Sequence, residues 1–127
     1  MTTKEFIKAT ENGTAQVLTV AKAQELKGKR IEWMYFGDSA NYNEVFSMVV
    51  GDICTEYDFY AKTDPARIER LARLEERFME EAKNTLLLLD EEGNNNNIRQ
   101  YKLFDCFKEP TFTCSDADRE VYFIVCE

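Results

Sequence analysis

The chain has 127 residues, 44% hydrophobic and 31% charged, with five Gly and two Pro, which is the make-up of one globular domain and excludes disordered and fibrous classes. Sixteen basic residues against twenty-four acidic ones leave a formal charge of -8, and this repels the phosphate backbone that supplies most nucleic-acid affinity. The chain has no His, so Ser-His-acid and Cys-His nucleophilic mechanisms are excluded and zinc ligation by CxxC or Cys/His pairs is poorly supported.

In chain order, Thr2 and Glu5 have the spacing of a capping box, and Phe6, Ile7 and Ala9 give a short helix one apolar side before Gly13. Thr14 to Val20 reads as a strand and Ala21 to Leu26 as helix ending near Gly28. From Lys29, Ile31, Trp33 and Tyr35 alternate with Glu32, Met34 and Phe36, which is the period of a strand. Turn residues at 37 to 43 lead to a second strand from Glu44 or Val45 to Gly51, where a bulge or bend is expected, and extended structure resumes from Ile53 to Tyr60. These two long strands form an antiparallel hairpin in this reading. Asp64 and Pro65 then start one helix running to about Lys83, its apolar arc made by Ile68, Leu71, Leu74, Phe78 and Ala82. Thr85 to Leu89 is a buried strand, the AspGluGluGly and four-Asn stretch is its turn, and Ile98 to Phe107 is its partner. Pro110 breaks the line, residues 115 to 118 turn, and Glu120 to Cys126 alternates as a last strand.

Strands in runs rather than alternating with helices indicate an α+β fold: a mostly antiparallel curled sheet or partly open barrel of about five to six strands on one long helix, with a short N-terminal helix. Residues 1 to 127 read as a single domain, with no repeat or linker. Apolar residues on both faces of the strands from 31 to 60 require each face to be covered by helix, other strands or another subunit. The start, MTTKEFIKATENG, lacks a signal-peptide pattern and no run reaches membrane-spanning length, so a cytoplasmic chain without membrane contact is expected.

Half of the chain's aromatic residues lie between Trp33 and Tyr60. Trp33, Tyr35, Tyr42, Tyr57 and Tyr60 are the candidate binding residues, because rings offer large contact area at small entropic cost. Core filling is the competing role. Glu75 falls inside the apolar arc of the expected long helix, where desolvation would raise its pKa and suit it to proton transfer; Asp52 is a second carboxylate candidate. Asp116, Asp118 and Glu120 alternate near a turn and offer oxygens to a hard cation, but without the Gly and spacing of a calcium loop, so no metal or cofactor is expected. Cys54, Cys106, Cys114 and Cys126 stand singly in apolar stretches, as buried thiols do. The functional expectation is a non-catalytic module that binds a protein, or a second copy of itself, through the aromatic, acidic hairpin. The alternatives are a small-ligand domain or enzyme using a carboxylate, and an acidic decoy of a nucleic-acid-binding protein.

Overall fold

The computed structural model describes residues 1–35, 44–101, 111–114 and 120–126. In chain order the elements are α1 (Thr3–Glu11), β1 (Gln16–Val17), α2 (Val20–Glu25), β2 (Arg30–Tyr35), β3 (Phe46–Thr55), α3 (Glu56–Thr63), α4 (Pro65–Ala72), α5 (Glu76–Asn84), β4 (Thr85–Asp90), β5 (Asn95–Tyr101), β6 (Thr113–Cys114) and β7 (Val121–Val125). The strands form one sheet in the order β1-β7-β2-β3-β4-β5-β6. Every pairing in it is antiparallel, as an α+β chain with its strands in runs requires.

The sheet curls without closing. Among the described residues no ladder joins β6 to β7, but a single bridge pairs Thr113 with Glu120. Beside it three backbone segments meet in a ring of hydrogen bonds: the Leu18 N–H donates to the Val121 carbonyl at 2.8 Å, the Phe112 N–H to that of Leu18 at 2.8 Å, and the Val121 N–H to that of Phe112 at 3.0 Å. The three side chains are fully buried. Buried backbone groups must be paired, and this ring pairs them where the curl brings the two ends of the sheet together.

The main core lies inside the curl. Ile31 and Trp33 of β2, Met48 and Val50 of β3, Leu88, Ile98, Val121 and Phe123 fill it with Leu18, Leu26 and Phe112. The alternate residues of β2 face the other way, and there Met34 is covered by Phe6 and Ala9 of α1. Thr2 starts that helix, its hydroxyl accepting from the Glu5 N–H at 3.1 Å. The apolar character of both faces of β2 is thus satisfied within one chain.

β2 and β3 pair as a hairpin, Ile31 opposite Met48 and Trp33 opposite Phe46. β3 then changes partner, pairing β4 from Val50 onward across a register shift between Val50 and Ile53. Gly51 sits at that shift, and a Cβ there would collide with the Asp90 carbonyl oxygen, so only glycine lets the two strands approach.

Four local expectations need correction. The strand expected over Thr14 to Val20 is confined to Gln16–Val17, because Thr19 caps α2, its hydroxyl accepting from the Lys22 N–H at 3.1 Å. Extended structure does not continue to Tyr60: Thr55 caps α3, its hydroxyl accepting from the Asp58 N–H at 3.1 Å, and the acids Glu56 and Asp58 occupy the first turn, where the helix dipole favours them. The Asn stretch is mostly strand: the Asp90 carboxylate accepts from the Glu92 and Asn94 amides at 2.9 and 3.0 Å, which closes the turn early and leaves Asn95 to Asn97 in β5, with Asn97 in the left-handed region at φ 62°. Finally, the single long helix is two, separated at Arg73 to Glu75.

That last break follows from topology. Thr55 at the end of β3 pairs with Leu86 at the start of β4, so α3, α4 and α5 form an excursion that must return to where it left. A straight helix from Pro65 to Asn84 would run about 30 Å, whereas α3 runs only about 12 Å. Splitting the helix lets both halves return along α3. The turn at residues 37 to 43, the second half of the expected 98–107 strand, and the turn at 115 to 118 lie outside the described residues.

Candidate functional site

The expected binding aromatics separate into two places. Trp33 is only 4% exposed and stacks on Phe46 at 4.7 Å and on Tyr35 at 6.3 Å, so these rings fill the curl of the sheet. Tyr57 and Tyr60 belong to α3 and are half-buried. There Arg67 lies 4.0 Å above the Tyr60 ring and Lys83 5.3 Å above that of Tyr57, holding α4 and α5 against α3 through cation–π contacts. Tyr42 lies outside the described residues.

Neither carboxylate candidate lines the pockets that the described residues form. Glu75 occupies the N-cap position of α5 and is exposed, its Oε2 accepting from Arg77 Nε at 2.9 Å; the helix break turned it out of the apolar arc that made it a candidate. Asp52 is also exposed and pairs with Lys27. Glu120 is exposed at the end of the sheet, and Asp116 and Asp118 lie outside the described residues. Among the described residues no three Asp, Glu or Cys side chains gather as a metal site.

A carboxylate that the sequence did not single out lies between two arginines. Glu56, with its side chain only 14% exposed, places Oε1 3.7 Å from Arg67 and Oε2 3.8 Å from Arg99. One residue thereby fastens the start of α3 to α4 on one side and to β5 on the other. With Arg67, Leu71, Phe78, Glu81 and Ala82 it lines a pocket of 190 Å³ between the three helices. Both of its oxygens are engaged by guanidinium groups, so its chemistry there is structural.

Outside that pocket α4 presents a groove of 470 Å³ lined by Arg67, Arg70, Leu71, Arg73 and Leu74. Leu74 stands in the helix break and is 57% exposed, and Phe78, one turn into α5, is 36% exposed. Arg77 lies 4.8 Å over the Phe78 ring. In a straight helix Leu71, Leu74 and Phe78 would all face the core. The break leaves Leu74 in solvent, Phe78 partly exposed at the pocket beside Glu56, and Leu71 half-buried between that pocket and the groove, with four of the chain's seven arginines between residues 67 and 77.

Cys54 and Cys126 are free thiols, each half-buried. Burial, reinforced by the nearby Asp58 carboxylate, pushes the Cys54 thiol above its ordinary value, which makes it a poorer nucleophile at neutral pH. No helix among the described residues is long and apolar enough to cross a membrane. Comparison with family models, with curated proteins and with solved structures finds no match to this chain.

Proposed function

We propose that this chain is a non-catalytic protein-interaction module and that its docking face is the α4–α5 surface around Leu74 and Phe78, rather than the aromatic hairpin. The observation that carries this reading is Leu74, exposed in the helix break beside an open groove, with Phe78 partly exposed on the following turn. Such side chains rimmed by arginine have the composition of interface anchors, in which a few apolar or aromatic residues and Arg supply most of the binding energy. The burial of Trp33, only 4% exposed, argues against its being the anchor. The free thiols at Cys54 and Cys126 support action in a reducing compartment such as the cytoplasm, and the net charge of -8 argues against direct nucleic-acid binding.

For the small-ligand reading the pocket at Glu56, at 190 Å³, is below the range of about 300–1,000 Å³ usual for such sites, and the α4 groove, at 470 Å³, is within it but lies open along the helix surface. A test of the docking reading places a photo-crosslinking residue at Leu74 and, as a control, at exposed Gln24 of α2 in the cells that express the protein. The protein captured at position 74 is identified, purified and titrated against the wild-type chain and Leu74→Ser. Selective capture at 74, with binding weakened at least about tenfold by Leu74→Ser, is expected for an anchor. Equal capture at Gln24, or unchanged affinity, removes the proposal.

A further inference from the structure

We infer that the occupant of the α4 groove is an acidic amphipathic helix of a partner protein; this rests on the docking reading above and adds the partner's chemistry. The groove is lined by three arginines and two leucines and by no carboxylate, within a chain whose net charge is -8. Arg67 is engaged by Glu56, and Arg70 stands 3.9 Å from Asp64, while among the described residues no carboxylate pairs with Arg73. The groove thus sets an apolar strip beside arginine side chains, of which Arg73 alone carries no carboxylate of this chain among the described residues. An occupant that matches both has apolar side chains on one line and carboxylates on either flank, which gives bidentate arginine contacts and electrostatic steering.

Other occupants fit less well. A second copy docking through the same face sets three arginines against three, and like charges brought together across an interface cost several kcal/mol. A second copy docking its acidic side into the groove makes a head-to-tail contact that propagates instead of closing. A nucleic acid meets the arginines but leaves Leu71 and Leu74 without partners, and the rest of the chain repels it. A lipid surface needs a broader apolar face than the two leucines of the groove present. The form of the occupant follows from the walls: the backbone at the break is internally bonded, the Arg73 N–H donating to the Arg70 carbonyl and the Leu74 N–H to that of Leu71. No strand edge is offered there for an extended peptide to join. A helix laid in a groove with anchors at i, i+4 and i+7 is the recognition mode that remains.

The test uses two fluorescein-labelled peptides of about 18 residues, long enough for helix to form on binding. Both carry Leu at i, i+4 and i+7; one has Glu on its flanks and the other Lys. Fluorescence anisotropy is recorded with the full-length chain, with Arg73→Glu, Arg73→Gln and Leu74→Ser, after circular dichroism has established that each variant is folded. The Glu peptide is expected to bind with an affinity that falls as salt rises. The Lys peptide should bind at least about tenfold more weakly, and Arg73→Glu should weaken the Glu peptide by a similar factor, with Arg73→Gln between. Failure of the Glu peptide to bind, equal binding of the two peptides, or indifference to Arg73→Glu overturns the inference, as does tighter binding of the wild-type chain to phosphatidylserine vesicles or to duplex DNA. Loss of binding in Leu74→Ser with indifference to Arg73→Glu rejects the acidic occupant and keeps the docking face. Indifference to Leu74→Ser rejects the docking face itself.

Discussion

The β2–β3 hairpin and the α3–α5 excursion are both rich in large apolar and aromatic side chains, yet they use them in opposite ways. On the hairpin, Ile31, Trp33, Met34, Met48 and Val50 are buried, shared between the inside of the curled sheet and the α1 side. On the excursion, among α3, α4 and α5, the buried side chains reduce to Ala82, and ionic and cation–π contacts join the helices beside half-buried apolar side chains. Exposed salt bridges contribute little, so the excursion is expected to open before the hairpin, and the proposed docking face lies on it. Elements that bind or move are drawn from the less stable part of a fold.

Substitutions can break that comparison. Trp33→Ala should cost about 3–5 kcal/mol of stability, read as a lower midpoint in urea denaturation; a loss no larger than that of Leu74→Ser would mean that the hairpin is not the core. Gly51→Ala should cost about 3 kcal/mol, because its new methyl meets a carbonyl oxygen on the neighbouring strand and one of the two backbones must shift. If the midpoint stays unchanged, the close approach of β3 to β4 is not real. Glu56→Gln should cost about 1–3 kcal/mol by leaving Arg67 and Arg99 without their shared carboxylate in a largely buried place. Hydrogen exchange should speed up over α3 and α4 more than over β2 and β3, and a uniform change would show that Glu56 does not fasten the excursion.

A weaker effect belongs to Cys54. Its folded-state pKa lies above its unfolded one, so burial of the neutral thiol contributes fully below the ordinary thiol range, and that contribution is lost as pH rises through the folded-state value. Stability of the wild-type chain relative to Cys54→Ala should therefore decline at alkaline pH; a rise there contradicts the assignment. Smallest of all, Leu74→Ser should change stability by no more than about 0.5 kcal/mol, the mark of a side chain retained for something other than folding.

The sheet was legible because its signals are local and mutually consistent. Ile31 and Trp33 alternate against Met34 in the sequence and do so across the sheet, and Gly51 marks the change of partner that its missing side chain permits. The excursion was harder to read. Thr55 and Asp58 already have the Thr-x-x-Asp spacing of a helix start, but the run of Ile53, Tyr57, Phe59 and Tyr60 imitates a strand and obscured it. The helix break carries no Gly or Pro, since it is imposed by the pairing of Thr55 with Leu86 about thirty residues later, a contact that no local pattern records. One symptom was present: Glu75 in the apolar arc of an unbroken helix is a conflict between local pattern and burial, and the fold resolves it by ending the helix there. The docking candidate inherits this difficulty, because Leu74 and Phe78 are exposed only when the helix is broken. The Glu56 pairing with Arg67 and Arg99 left no trace at the level of spacing, since β5 approaches α3 only through the sheet.

Hydrogen–deuterium exchange of the full-length chain, recorded by mass spectrometry with and without the Glu-flanked peptide, asks directly where the molecule binds. The division between a core-forming hairpin and a presenting excursion predicts added protection over residues 67 to 78 and none over 30 to 35 or 46 to 50. Protection gained on the hairpin and absent from α4 and α5 would contradict it.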